Sequence, residues 1–268
     1  MQISLNFTKS VPENAALYYE KAKKAKKKME GAKKAIEISR QKLAAELLNQ
    51  QKQQKETEKK QVEREQLILR QSKKQWYEKF HWFFSSEGFL ILGGRDAITN
   101  ELIIKKHTDP KDIIFHTDLQ GSPFFVVKSE GKEIGERTRI EAAAATAIYS
   151  RAWKLGFDNA KAGWVTPEQV TKTTKHGEYI TRGAFVINGK MHYIEHDMRF
   201  AVGVDREGRI IGGPYLAVQA HSEKIIEITQ GDQKPSDLAK QLRALLKAGT
   251  PDEFIRVLPS GNCKIIRI

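Results

Sequence analysis

Between Pro12 and Lys79, apolar and small residues recur at Ala15, Tyr18, Ala22, Ala25, Met29, Ala32, Ile36, Ser39 and Leu43, in alternating steps of three and four. That spacing keeps one stripe of a helix facing a neighbour and predicts a coiled-coil seam. Ser10 and Pro12 ahead of Glu13 supply a helix start, and Gly31 is the one glycine in the stretch. The 13 residues Asn49–Gln61 are all polar, after which a weaker seam resumes at Val62, Gln66, Leu69 and Trp76. A polar interval between two seams predicts the exposed tip of an antiparallel helical hairpin. A single continuous rod is the competing reading, because neither glycine nor proline marks a turn.

From Trp76 the pattern becomes aromatic and its periods shorten. Phe83-Phe84 and Phe89–Leu92 flank Ser85-Ser-Glu-Gly88 and predict a β-hairpin. Asp96, after Gly93-Gly94, is placed to cap a helix running to about His107. Strands are expected at Ile113–His116 and Phe124–Lys128, and an alanine-rich helix over Thr138–Leu155, ended by Gly156. Shorter β pieces follow at Trp164-Val165, Tyr179-Ile180, Ala184–Ile187, Met191–Ile194 and Phe200–Val204, with Asn188-Gly189 as a two-residue hairpin turn. Ile225–Ile228 reads as strand, Lys234–Ala248 as helix, and Glu253–Leu258 with Lys264–Ile268 as a terminal hairpin. The fold class is α+β. A long helical coiled-coil hairpin over 1–79 precedes a mixed, mainly antiparallel α+β domain over 80–205, and a small β-α-β-β extension covers 206–268.

Charge separates the same regions. Of 46 Lys+Arg and 33 Asp+Glu in 268 residues, residues 1–79 hold 20 and 10. Lys21, Lys23, Lys24, Lys26, Lys27 and Lys28 spread over much of the helix surface, and Lys33 and Lys34 follow. Only Glu20 and Glu30 oppose them between Tyr19 and Ala35. An ordinary exposed helix alternates signs to gain i,i+4 pairs; crowded lysines cost stability and are tolerable beside a polyanion. A nucleic-acid backbone is such a polyanion. A membrane surface is disfavoured, because the opposing stripe is alanine-rich and has little to insert. No apolar run approaches the roughly 18 residues of a membrane span. The first residues lack a signal-peptide pattern, and the single cysteine, Cys263, excludes an intramolecular disulfide or a cysteine zinc cage. A soluble, cytoplasmic protein is expected.

Four constellations carry candidate chemistry. His192-Tyr-Ile-Glu-His196 fits an inverted zincin pattern, but that chemistry needs a helix and the stretch reads as strand. His116-Thr-Asp118 puts two ionisable groups on one side of a strand, as a metal ligand set, a base with its orienter, or a hydrogen-bonded pair shaping the turn. Gly93-Gly-Arg95-Asp96, between strand and helix, reads equally as an anion-binding turn or a tight structural one. Lys172, Lys175, His176 and Arg182 in a polar loop read either as an extension of a phosphate-contacting surface or as a solvated loop. No motif calls for a cofactor.

Several longer stretches together resemble one family: Trp76–Ala97 with Asn100-Glu101, Asp112–Gly121, Trp164–Lys172 and Gly177–Phe185. They are similar to the NFACT-R domain of the NFACT ribosome-quality-control factors. The arm, with Asn14-Ala15, Tyr18-Tyr19 and its lysines, is similar to their coiled-coil middle region, and the C-terminal piece resembles the extension of archaeal-type members. The resemblance implies an RNA-binding module that meets tRNA and the large ribosomal subunit during rescue of stalled nascent chains, with C-terminal tailing when joined to the family's N-terminal domain. This sequence opens at the coiled coil, so independent tail synthesis is not expected of it, and that domain becomes a candidate partner on another chain. Where the family has Asp-Leu-His-Gly-Ala, this sequence has Asp118-Leu-Gln120-Gly-Ser122; a role of that histidine does not carry over. The candidate RNA contacts are the eight arm lysines with Arg95, His116, Asp118, Gln120, Lys172, Lys175 and Arg182; no catalytic or metal residue is assigned. Two other readings stay open: a metal-assisted or acid–base enzyme using His116, Asp118, His192 and His196, and a scaffold whose coiled coil forms a homodimer or docks a partner such as a ubiquitin ligase.

Overall fold

A computed structural model describes residues 4–72, 75–173 and 181–267; in the long N-terminal helix, side chains are described up to Leu43 and at Glu46, Asn49 and Gln53. The chain forms two compact units, Met1–Lys74 and Gln75–Ile268.

The first unit is helix α1, Val11–Ser72, 62 residues long and so about 90 Å at 1.5 Å per residue. It starts where the sequence predicts. The Ser10 N–H donates to Glu13 Oε2 at 2.8 Å and the Glu13 N–H returns to Ser10 Oγ at 3.4 Å, a reciprocal cap. These bonds hold the Glu13 carboxyl below its ordinary pKa. The buried Asn14 ties down the preceding loop, donating to the carbonyls of Asn6, Lys9 and Ser10 and accepting from the Asn6 N–H. The expected hairpin does not form, since α1 continues unbroken through Asn49–Gln61. The reason is local: glutamine, lysine and glutamate are good helix formers, and a polar surface alone does not end a helix.

The second unit is built on a six-stranded antiparallel sheet. Its elements, in chain order, are β1 His81–Phe84, β2 Leu90–Gly93, α2 Ala97–Lys106, β3 Ile113–Thr117, β4 Phe125–Val127, α3 Glu136–Ile148, α4 Arg151–Leu155, β5 Ala162–Val165, β6 Val170–Thr171, β7 Val186–Ile187 and β8 His192–Ile194. Then come β9 Phe200–Asp205, β10 Ile210–Pro214, α5 Tyr215–His221, β11 Ser222–Gln233, α6 Pro235–Leu246, α7 Pro251–Val257 and β12 Cys263–Arg267. The main sheet runs β1-β2-β4-β3-β5-β8, a second sheet β10-β9-β11-β12, and β6 pairs with β7.

Pairing register sorts the side chains of the main sheet. Trp82, Leu92, Val126, Ile114 and Val165 lie opposite one another across five strands and pack with Ile103 of α2. Phe83, Ile91, Phe115, Phe125 and Val127 point the other way, against Ala142, Ala143 and Ala145 of α3, whose small side chains allow close approach. The second sheet buries Phe200, Val202, Ile226 and Ile228 against Leu238, Leu242 and Phe254 of α6 and α7. Burial of these faces is the main stabilising term.

The N-terminus of α3 is completed from elsewhere. Its N-cap is Gly135, which has no side chain to offer. Glu87, in the β1–β2 turn, accepts instead from the Thr138 N–H at 2.9 Å and from the Thr138 hydroxyl at 2.5 Å. A Cβ on Gly135 would fall 2.3 Å from Glu87 Oε1, so the glycine makes room for the borrowed cap.

Four further expectations are corrected. Glu253–Leu258 is not a strand: Glu253–Val257 belong to α7, started by a Thr250–Glu253 capping box with Pro251 at its first turn. Asn188-Gly189 turns the chain with Gly189 at φ 82°, yet joins no hairpin: β7 pairs with β6 and β8 with β5. Gln169 bridges that turn, its Nε2 donating to the carbonyls of Asn188 and Lys190. The Thr138–Leu155 helix is two, α3 and α4, restarted by the Ser150 side chain accepting from the Ala152 N–H. The segment from 206 adds β10 and α5 to the expected elements, and the 205/206 boundary falls between the paired strands β9 and β10. The strand expected at Tyr179-Ile180 lies outside the described residues.

Candidate nucleic-acid interface

In the first unit, Lys21, Lys23, Lys24, Lys26, Lys27, Lys28, Lys33 and Lys34 are all exposed on α1. None is in an ion pair among the described residues; Lys21 Nζ lies 5.5 Å from the centre of the Tyr18 ring. The seam residues from Ala15 to Leu43 are exposed too.

In the second unit, the Gly93–Asp96 turn is filled by the protein itself. A Cβ on Gly93 would lie 2.2 Å from the Phe125 ring, and one on Gly94 1.7 Å from Asn100 Oδ1. Asp96 caps α2, accepting from the Thr99 N–H at 2.7 Å. Arg95 donates through one terminal nitrogen to the Phe80 carbonyl and through the other to that of Arg256, both at 2.9 Å. Burial holds its pKa below the ordinary value. The anion-loop reading of this turn is thus displaced by a structural one, and Arg95 pins three segments together.

His116 and Lys172 are joined in one network, and Arg182 lies on the loop beside it. Glu101 on α2 accepts from Lys105 Nζ at 2.6 Å, from Lys172 Nζ at 2.9 Å and from the Gly183 N–H at 3.2 Å. These donors pull its pKa down to about 2. Lys172 also lies 5.0 Å from the Phe185 ring centre, and Phe185 meets Phe124 edge-on, which in turn packs on His116 at 4.3 Å. Burial lowers the pKa of His116, against smaller opposing effects of bonds to Thr117 and Ser122 and the charge of Asp118. Gly183 has φ 78°, and a Cβ there would strike the α2 backbone at Ala97, so the Arg182 loop sits tightly on α2 while Arg182 stays exposed.

Asp118 and Gln120 are exposed. Asp118 bonds Tyr193 Oη at 2.7 Å and raises the tyrosine's pKa; no hydrogen bond links it to His116 among the described residues. Lys175 and His176 lie outside the described residues. The zincin geometry does not form: His192 is in β8, and His196, beyond it, has Nδ1 2.9 Å from the Ile194 carbonyl. No group of three or more His, Cys, Asp or Glu side chains converges as a metal site among the described residues. Glu101, Phe124, Phe185 and Tyr193 are not among the candidate contacts read from the sequence.

Residues 79–189 match the model of the NFACT protein RNA binding domain. An archaeal Rqc2 homolog, aRqcH of Methanocaldococcus jannaschii, is 44% identical over 200 residues, 72% of this chain and 30% of the relative. The chain belongs to the NFACT family. Within it, ribosome quality control complex subunit NEMF of Homo sapiens is 39% identical over 186 residues, 68% of this chain and 16% of that protein. The chain spans less than a third of the length of these NFACT relatives. The region matched to the NFACT domain runs from β1 to β7 and includes the whole Glu101–Phe185 network. No helix is long and apolar enough to cross a membrane among the described residues.

Proposed function

We propose that this chain is an RNA-binding, ribosome-associated module of cytoplasmic ribosome quality control. The lysines of α1 contact phosphates of large-subunit rRNA or tRNA, and the body presents the half-buried His116 and Phe185 with the exposed Arg182 to tRNA. The observation that carries this reading is the NFACT RNA-binding-domain match at residues 79–189, joined to eight arm lysines with no ion pair among the described residues. Displacing counterions from phosphates gives a release of entropy that salt opposes, so the expected binding is steeply salt-dependent. The seam of α1, exposed along its described length, suits a helical partner, either a second copy or another NFACT segment.

The test is tRNA binding titrated with salt, together with sedimentation with large ribosomal subunits at low and moderate ionic strength. Saturable binding that weakens linearly with log salt, and co-sedimentation, are expected. Absence of binding to both at low salt refutes the proposal.

A further inference from the structure

The main sheet carries a row of directly opposed residues from one edge to the other: His81, Gly93, Phe125, Phe115, Trp164 and His192. Its interior members are buried, but the row surfaces at β8, where Trp164 is half-buried and His192 exposed. The two rings stack with centres 4.6 Å apart and planes inclined by 20°. The Arg139 guanidinium, from α3, lies 5.3 Å from the Trp164 ring centre.

Arg139 is singled out by comparison. The half-buried cations Arg95, Lys128, Lys172 and Arg209 each donate to at least one oxygen. Arg139 is half-buried as well, and its side chain donates to no oxygen among the described residues; its Nε is buried without a partner. Desolvating a cation without an acceptor is costly; the Trp164 ring offsets part of that cost, and His192, the other ring of the stack, is exposed. A flat ring next to a guanidinium that donates to no oxygen is the chemistry that takes a nucleotide: base on ring, phosphate on cation.

We propose that this edge is a nucleotide subsite for single-stranded RNA. A base stacks on His192 backed by Trp164, and Arg139 takes an adjacent phosphate. The proposal rests on the RNA-binding reading above and assigns it residues that the Glu101–Phe185 network does not include.

The test measures binding of a short single-stranded oligouridine to the full chain across a salt series, with circular dichroism confirming the fold of each variant. His192→Ala is expected to weaken binding about tenfold at every salt level with the salt slope unchanged, and His192→Phe to restore it. Arg139→Gln is expected to lower the slope by about one. If wild type binds and His192→Ala binds equally, or His192→Phe fails to restore, the subsite is refuted while the wider reading stands. If wild type binds no RNA, the wider reading falls and takes the subsite with it.

Discussion

The two units differ in how they use basic residues: among the described residues, only the body ties any of them to carboxylates. On α1 the lysines stand exposed, without an ion pair among the described residues. In the body, Lys128 is held by Asp109 and Asp112, Lys172 by Glu101, Arg199 by Glu227 and Arg209 by Asp205. A lysine with a carboxylate at hydrogen-bond distance is part of the fold. One without a counterion keeps its electrostatic energy for whatever anion arrives. Counting charges therefore ranks the arm and the body by net value, while pairing decides which charges can act on a partner.

The largest expected effect tests the arm. Replacing Lys23, Lys24, Lys27 and Lys28 with glutamate should weaken tRNA binding by at least about 100-fold at low salt and reduce the salt slope by about 3 to 4. The helical circular dichroism should be preserved. Unchanged affinity would erase the contrast between the units.

The complementary change lies in the body. Asp112 is buried, accepts from the N–H groups of Asp109 and Ser129, and pairs with Lys128. Asp112→Ala should cost about 3 kcal/mol in urea denaturation, because it strands two backbone donors and leaves the partly buried Lys128 ammonium with one carboxylate instead of two. RNA affinity of the folded variant should match wild type. Next in size, Glu87→Ala should cost about 1 kcal/mol, the ordinary value of a helix cap. Thr250→Ala at the start of α7 should cost about as much.

The smallest effects are those of pH. Glu87 and Glu101 have folded pKa values below those of the unfolded chain, so their stabilisation is present above the ordinary glutamate pKa. It is lost as pH falls through their folded values, about 2 for Glu101. Glu141 runs the other way. It is buried, accepts from the Ser86 N–H through one oxygen and leaves the other unpaired, and burial raises its pKa. Its folded form resists ionisation, so it opposes folding as pH rises above the unfolded value. Glu141→Gln should raise the urea midpoint at pH 8 and leave it nearly unchanged at pH 4.

What was legible in the sequence was local. The β1–β2 hairpin follows from apolar runs on either side of a glycine turn, and α2 from Asp96 three residues before Thr99. The apolar pattern alone misassigns α7, because Phe254, Ile255, Val257 and Leu258 suit a strand as well as a short helix; the Thr-Pro-Asp-Glu start is the deciding signal. Asn188-Gly189 announced a turn correctly but says nothing about which strands pair beyond it. Arg95 shows the limit for site residues. Its acceptors lie 15 and 161 residues away, so no reading of neighbours could separate a structural arginine from a phosphate-binding one. The meeting of Lys172 and the Gly183 N–H at Glu101 likewise depends on the loop after Arg182 packing on α2.

The carboxylate that Glu87 lends to α3 spans 51 residues of chain. A helix whose first turn is a difficult nucleus, and whose own entrance is a glycine, gains its missing acceptor only once the β1–β2 turn is in place. Hairpin and helix should then appear in the same step of folding. The amide of Thr138 should exchange its hydrogen on the timescale of the strand amides of β1 and β2, rather than fraying early as the first turn of an independent helix does.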